Sequence, residues 1–356
     1  MKDWRHGGDI WEVSRALNCH AEDLIDFSAS INPFGPPRWL ESVIDSVKPL
    51  IVHYPDPFCF HLRGRIAQQY GVLPSEILAG NGTSELLYLL PRAIKPKRAV
   101  IPVPSYVDYE YSARAADIGV VYVHMDEKSG FQFPLDRLES TLRPGDVVLL
   151  GRPNNPIGAV SEAEEIRTLA RKNSEVFFVV DQAFYDFVGD TDSLVQNRPK
   201  NVVVLFSLTK IFAIPGIRVG WLVGDEKFVE RLRRLQAPWS VNVFAQAIAE
   251  RALEDKALIE LTRKSIGKVR GKMAREIRGI EGLYVYPSEA NFLLVRIQKR
   301  GLDAVKLREL LLNYKIIIRC CDNFVGLDKT FFRISVRSEE ENQRLINALK
   351  EVLGAY

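Results

Sequence analysis

Cysteine is scarce: the 356 residues contain four, Cys19, Cys59, Cys320 and Cys321. No pair has the CxxC spacing of a zinc or redox site, and the five histidines include no HExxH pair. The expectation is a reduced, metal-free protein. An excess of either charge is also missing. Lysine and arginine total 48 against 45 aspartates and glutamates, a formal net charge of +3. That balance gives no electrostatic case for a nucleic-acid partner or an anionic membrane. No apolar run reaches the roughly 18 residues of a membrane span. The start of the chain, MKDWRHGGDIWE, is charged and lacks the apolar stretch of a signal peptide. Together these absences predict a cytoplasmic protein. Two nucleotide motifs are missing as well. GNGTSE begins like GxGxxG at Gly80 and Gly82, but Glu85 stands in the third glycine's place, and there is no GxxxxGK.

What is present is the composition of an ordinary globular protein, 47% hydrophobic and 26% charged. Its length exceeds that at which single cores usually stop growing, so two subdomains are expected. Ile10, Val13, Ala16 and Leu17 are spaced for a short helix over 9–18. DFSASINPFGPP reads as an extended loop. From about residue 60, helix and strand alternate. GTSELLYLL opens a helix with Thr83 or Ser84 as its cap and Glu85 in its first turn. AVIPV, VVYVHM, DVVLLG, EVFFVV and NVVVLF read as strands buried on both faces of a mainly parallel sheet. After residue 223 the texture changes. DEKFVERLRRLQ and the stretch from Val243 to about Arg278 read as helices. NFLLVRI, KIIIRCC and FFRISVRS then read as strands, with helices at 303–313 and 339–353. The expected fold class is α/β. A large domain over 51–242 carries the parallel sheet, and a smaller α+β domain covers 243–356. An N-terminal arm, 1–50, joins the small domain in space.

Ligands of open α/β sheets bind beyond the carboxyl ends of the strands. Tyr106 follows AVIPV, and RPNNPIG with Asn155 follows DVVLLG. Asp181 follows EVFFVV, and Ser207-Leu-Thr-Lys210 follows NVVVLF. An aromatic, an amide, a carboxylate and a lysine thus converge on one edge, where a flat heteroaromatic cofactor could meet all four. Read singly, each has a structural alternative: a packed tyrosine, an Asn-Asn-Pro turn, an aspartate capping a turn, a solvated lysine. The helix start at Gly82 suits one phosphate through its free N–H groups and dipole, or is an ordinary capped helix.

GNGTSE, PSYVDYE, RPNNPIG, DQAFYDF and SLTKIFAIPGIRVGW, in that order, resemble the successive signatures of fold-type I pyridoxal-phosphate enzymes of the class I/II aminotransferase family. The resemblance spans nearly the whole chain and implies that family's fold, a large domain with a smaller α+β one. Within the family, HGGDIWEVSRALN, DFSASINPFGPP, DQAF and SLTKIFAIPG are similar to the threonine-phosphate decarboxylases, with histidinol-phosphate aminotransferases next.

The resemblance implies pyridoxal 5'-phosphate as cofactor and a role for each residue. Lys210 would link covalently to the cofactor's aldehyde, then serve as base or acid once the substrate amine displaces it. Asp181 would pair with the pyridine nitrogen, Tyr106 stack on the ring, and Asn155 donate to the 3-oxygen. Gly82, Thr83, Ser84, Ser207, Thr209 and Arg218 would hold the phosphate, for which a guanidinium fork is well shaped. Tyr54 in HYPDP would reach the phosphate of a partner subunit, which implies a homodimer with shared sites.

FFRISVRS places Arg333, Ser335 and Arg337 on one face by its period of two. By resemblance Arg333 takes a substrate anion, Arg319 is a second candidate, and Arg337 is a weaker one. His6 and Gly7 of the HGG arm would close over a substrate phosphate. Asn155 would contact substrate too, with Ser30 and Asn32, where the family has N-x-N-P; serine replaces its first asparagine. Phe184 stands where many aminotransferases have a tyrosine that donates to the 3-oxygen, a departure that favours the decarboxylases. The implied reaction converts L-threonine O-3-phosphate to (R)-1-amino-2-propanol O-2-phosphate and carbon dioxide, a step of cobalamin biosynthesis. Histidinol-phosphate or related amino transfer is the nearer alternative. A non-catalytic sensor is the remote one, and such sensors carry an N-terminal DNA-binding domain where only some 50 residues precede the core here.

Overall fold

A computed structural model describes residues 6–189 and 192–356; the first five residues of the charged MKDWRHGG start lie outside it. The apolar runs become strands. A short β1 (Ile25–Asp26) precedes the large sheet of β2 (Ile77–Gly80), β3 (Arg98–Val103), β4 (Gly119–His124), β5 (Asp146–Gly151), β6 (Phe177–Asp181), β7 (Val202–Phe206) and β8 (Gly220–Val223). Their order is β2-β8-β7-β6-β5-β3-β4. Every pairing is parallel except those of β8, which runs antiparallel to β2 and β7.

Successive residues along these strands enter two different cores, as the period of two requires. Val148, Leu150, Phe178, Val180, Val202 and Val204 pack on one face. Val147, Leu149, Val179, Val203 and Leu205 pack on the other. Burial of each such side chain contributes roughly 1.5–3 kcal/mol. Helices Gly82–Ile94, Val107–Arg114, Leu135–Thr141 and Ala163–Lys172 provide the crossovers between parallel strands.

The C-terminal part adds β9 (Leu283–Val285), β10 (Phe292–Ile297), β11 (Ile316–Ile317), β12 (Arg319–Cys320) and β13 (Phe331–Ser335). Four of them form an antiparallel sheet, β12-β13-β10-β9, with helices Lys256–Arg278, Ala304–Leu312 and Glu339–Gly354 beside it. KIIIRCC, expected as one strand, is two. Its first part, β11, pairs in parallel with β1, and its second, β12, pairs antiparallel with β13. The break at Ile318 lets one run satisfy two sheet edges, and it stitches the N-terminal segment to the C-terminal sheet. Phe27 N–H donates to Ile317 O at 2.8 Å, and Ser335 N–H donates to Phe27 O at 2.9 Å.

Two other expectations are corrected. The helical stretch from Val243 breaks at Asp255, whose carboxylate accepts the Leu258 N–H and starts a second helix. Neither Thr83 nor Ser84 caps its helix. That helix begins at Gly82, and the Glu85 carboxylate takes the preceding Asn81 N–H at 2.6 Å.

Candidate active site

The parallel strands all deliver their carboxyl ends to one edge. Because β8 runs the opposite way, the residues just before it arrive at that same edge, which brings Arg218 to the ends of β2 and β7. A cavity of about 660 Å³ opens there. It is lined by Lys210, Asp181, Asn155, Tyr106, Ser207, Thr209 and Arg218, and by Gly82, Thr83 and Ser84 at the helix start. His6, Gly7, Ser30, Arg319, Arg333 and Arg337 line the same cavity.

Lys210 is held in the Ser207–Lys210 turn, where its Nζ donates to Ser207 Oγ at 3.3 Å. Burial pushes its ammonium down to about 8, against the attraction of Asp181 and with the help of Arg218. A lysine so placed is a nucleophile near neutral pH. Burial pushes the Asp181 carboxyl up, opposed by the Ala183 amide, by Lys210 and by the Tyr109 hydroxyl. The Ala183 N–H bonds to Asp181 Oδ1 at 2.9 Å, and Tyr109 donates to Oδ2 at 3.1 Å. A carboxylate in this position calls for a cationic N–H from whatever occupies the cavity.

Sequence reasoning missed Tyr109. Its signal is the glycine that ends β5. A Cβ on Gly151 would stand 3.0 Å from the Tyr109 hydroxyl, so the empty side chain makes room for the phenol. Tyr106, whose ring lines the cavity, meets Tyr109 edge-on with centroids 5.6 Å apart. Its hydroxyl donates to Asp108 Oδ2 at 2.7 Å.

The phosphate-sized recess is built from small groups. Gly82 has φ +76°, and a Cβ there would stand 2.5 Å from Arg218 Nη2. Arg218 itself adopts φ +60°. Ser207 Oγ and Thr209 Oγ1 lie 2.8 Å apart beside it. A helix N-terminus, two hydroxyls and a guanidinium form a donor set that fits a phosphomonoester. With Asp181, Asn155, Tyr106 and Lys210 in the same cavity, the residues fit an aromatic aldehyde that carries a ring nitrogen and a phosphate.

Asn155 Oδ1 accepts from Arg333 Nη1 at 2.6 Å, which leaves the amide NH2 as its free donor. Arg333 also donates to Ser28 O at 2.7 Å, but its buried Nε has no hydrogen-bond partner. Burial pushes its guanidinium down to about 10, the nearby Arg319 adds to the shift, and the Cys321, Tyr106 and Asp26 side chains oppose it. A buried cation in this state favours an incoming anion. Arg319 donates to Asn323 Oδ1 at 2.7 Å. Arg337 lines the cavity but is neutralised, with Nη2 2.7 Å from Glu341 Oε1. Ser30 accepts from Ser335 at 3.1 Å. Phe184 lines the cavity too, with Lys210 Nζ 6.0 Å from its ring centroid.

Two expected contacts are not part of this cavity. Asn32 turns away from it. Its amide donates to Ile211 O at 2.7 Å, and its N–H donates to Lys210 O at 2.9 Å, so it braces the lysine turn. Tyr54 is 78% exposed and stacks on Trp239, with centroids 4.5 Å apart.

The profile of the family described as "Aminotransferase class I and II" matches residues 22–349. The chain is 35% identical over 353 residues to "Threonine-phosphate decarboxylase" of Salmonella typhimurium, which covers 98% of this chain and 96% of that protein. It is 33% identical over 353 residues to "Adenosylcobalamin biosynthesis bifunctional protein CobDQ" of Leptospira interrogans, but spans only 41% of that longer protein's length. Among solved structures, the histidinol-phosphate aminotransferase from Clostridium acetobutylicum superposes with a TM-score of 0.87 at 30% identity, over 94% of this chain and 100% of that one.

Proposed function

We propose that this chain, which belongs to the class I and II aminotransferase family, decarboxylates L-threonine O-3-phosphate to (R)-1-amino-2-propanol O-2-phosphate. The family depends on pyridoxal 5'-phosphate. Bound here, that group supplies an electron sink for the pair left when a bond to the substrate's α-carbon breaks. In this reading Gly82, Thr83, Ser84, Ser207, Thr209 and Arg218 seat its phosphate, Asp181 faces its ring nitrogen, and Asn155 donates to its 3-oxygen. Tyr106 covers one ring face. Lys210 provides the amine for covalent attachment, then delivers the proton that replaces carbon dioxide on the α-carbon, a role suited to an ammonium depressed to about 8.

The observation that carries the reading is the placement of the HGG arm. His6 and Gly7 line the same cavity as Lys210, Arg319 and Arg333. Guanidinium and N–H groups suited to a phosphate dianion are thus among its lining. The bond that breaks is the one held perpendicular to the conjugated plane. If Arg319 and Arg333 hold the phosphate, the α-carboxylate is left without a guanidinium of its own and can take the perpendicular position. Phe184 removes a hydroxyl that would otherwise donate to the 3-oxygen. The similarity to a named decarboxylase supports the same substrate.

We also read the exposed Leu50, Ile51, Val52, Tyr54, Phe58 and Phe60 as a face covered by a second copy, with Tyr54 entering the partner's site. Large exposed apolar side chains crowded in one segment are costly without a partner. Sedimentation of the protein at a single chain mass would contradict it. No described helix is long and apolar enough to cross a membrane.

The test of function is a comparison of kcat/KM for L-threonine O-3-phosphate, followed by carbon dioxide release, with that for histidinol phosphate and 2-oxoglutarate. Preference for the first substrate supports the proposal. Preference for the second assigns the histidinol-phosphate reading, and turnover of neither leaves a sensor.

A further inference from the structure

The N-terminal arm is tied down to two parts of the chain, by different chemistry at each. On one side the ties run to the β1 segment and the C-terminal part. Asp9 Oδ2 pairs with Arg308 at 2.8 Å, and Gly8 N–H donates to Ser28 Oγ at 2.8 Å. Gly7 lies so close to Ser28 O that a Cβ would come within 2.1 Å. On the other side, the described contacts of His6 all fall on residues 106–111, at the carboxyl end of β3. Its ring centroid is 6.1 Å from that of Tyr106 and 6.5 Å from that of Tyr111, and its Nε2 is 3.3 Å from Asp108 Oδ1.

Asp108 is an unusual partner. It lies in the first turn of helix Val107–Arg114, where a carboxylate normally faces free N–H groups and solvent. Instead its side chain is 8% exposed, Oδ2 takes the Tyr106 hydroxyl, and Oδ1 makes no hydrogen bond. Burial pushes its carboxyl up, while His6 and Tyr106 pull it down. A buried carboxylate with one unsatisfied oxygen is costly unless a cation or donor reaches it. His6 is the group that reaches it.

We propose that Asp108 is a positioning residue whose carboxylate clasps His6, seats the arm over the cavity, and links that closure to the orientation of Tyr106. The clasp uses one oxygen for the arm and one for the ring residue, so the arm and the cofactor-facing aromatic share one anchor. When the arm lifts, Oδ1 loses the 3.3 Å approach of His6 Nε2, and this favours the closed position. The geometry of the clasp stands on the arm alone; its consequence for substrate rests on the function proposed above.

Hydrogen exchange of the segment 7–17 in the cofactor-loaded protein tests it without reference to turnover. Asp108→Asn keeps the shape and the Tyr106 bond but removes the charge. It should speed exchange in that segment roughly tenfold, the size expected for loss of one charge-assisted contact, while β5 and β7 stay protected. His6→Gln should do the same, the double variant should exchange no faster than either single one, and Asp108→Glu should restore most of the protection. The companion reading is a rise in KM for L-threonine O-3-phosphate larger than any fall in kcat. Unchanged arm exchange in Asp108→Asn, or additive effects in the double variant, overturns the clasp. Coupled exchange in a protein that does not turn over this substrate supports the clasp and overturns the substrate assignment. Should Asp108→Asn fail to fold, His6→Gln at its half-exposed position carries the test. Faster arm exchange there supports the clasp, and unchanged exchange overturns it.

Discussion

Gly82→Ala separates the phosphate recess from the stability of the fold. The substitution has two consequences. First, alanine must adopt φ +76°, a left-handed conformation that costs about 1–2 kcal/mol. Second, the new Cβ would stand 2.5 Å from Arg218 Nη2 and 3.0 Å from its Cζ, so something must move. The mobile partner is the end of a long side chain, held by a hydrogen bond of 3.3 Å to Pro215 O. Arg218 can swing aside at little cost to the fold, and in doing so it leaves the recess. A guanidinium–phosphate contact contributes about 1.5–3 kcal/mol, so the dissociation constant of pyridoxal 5'-phosphate should rise roughly 10- to 150-fold. Titrating apoprotein with the cofactor by absorbance measures that change, and thermal unfolding of the apoprotein measures the strain separately. Weakened binding beyond what the small stability loss accounts for is the expected pattern. If affinity stays within twofold while the unfolding temperature drops, the recess does not hold the phosphate.

Three further outcomes follow from the charges in the site and beneath it. With its ammonium at about 8, roughly a tenth of Lys210 is neutral at pH 7, about 300 times the share of an unperturbed lysine. Covalent capture of the cofactor, trapped by borohydride, should therefore climb with pH through about 8; a midpoint near 10.5 would refute the desolvation argument. Asp181→Asn removes a charge that raises the Lys210 pKa, so capture should shift to lower pH while turnover of the loaded enzyme falls by roughly 10²–10³, the loss typical of one preorganised electrostatic partner. Capture and turnover falling together would contradict the separate roles. Burial raises Asp186 to about 6, against the pull of Arg263. The folded chain thus binds more protons than the unfolded one between about 4 and 6, and stability falls as pH rises through that window. Asp186→Asn should add on the order of 2–3 kcal/mol at pH 7 and nothing at pH 3.5, measured by urea unfolding; a gain that is equal at both pH values refutes the linkage.

Much of the site is legible along the chain because strand ends are. An apolar run that stops at Asp181 or just before Ser207 places those side chains at the sheet edge without knowledge of the tertiary fold. Arg218 is readable for a related reason, since a turn followed by a short apolar run announces the strand that brings it back. Other features depend on rotations that a linear pattern does not encode. Asn32 sits in a loop, and only the path of that loop beneath Lys210 turns its amide inward. Tyr109 and Asp108 lie in the first turn of a helix, where side-chain direction is set by the helix start after Tyr106 and by the space over Gly151. The division of KIIIRCC between β11 and β12 depends on two sheet edges meeting, which the uninterrupted apolar pattern conceals. Tyr54 is exposed on a single chain, so the contact proposed for it is one that the fold of one chain does not display.

The choice between breaking the bond to the carboxylate and breaking the bond to the α-hydrogen is tested most directly with L-threonine O-3-phosphate deuterated at the α-carbon. Mass spectrometry of the amine produced by the cofactor-loaded enzyme in ordinary water should find the deuteron kept on the carbon that lost carbon dioxide, beside one new hydrogen drawn from solvent. Deuterium released to water while the carboxyl group stays in a 2-oxo acid product would contradict the account.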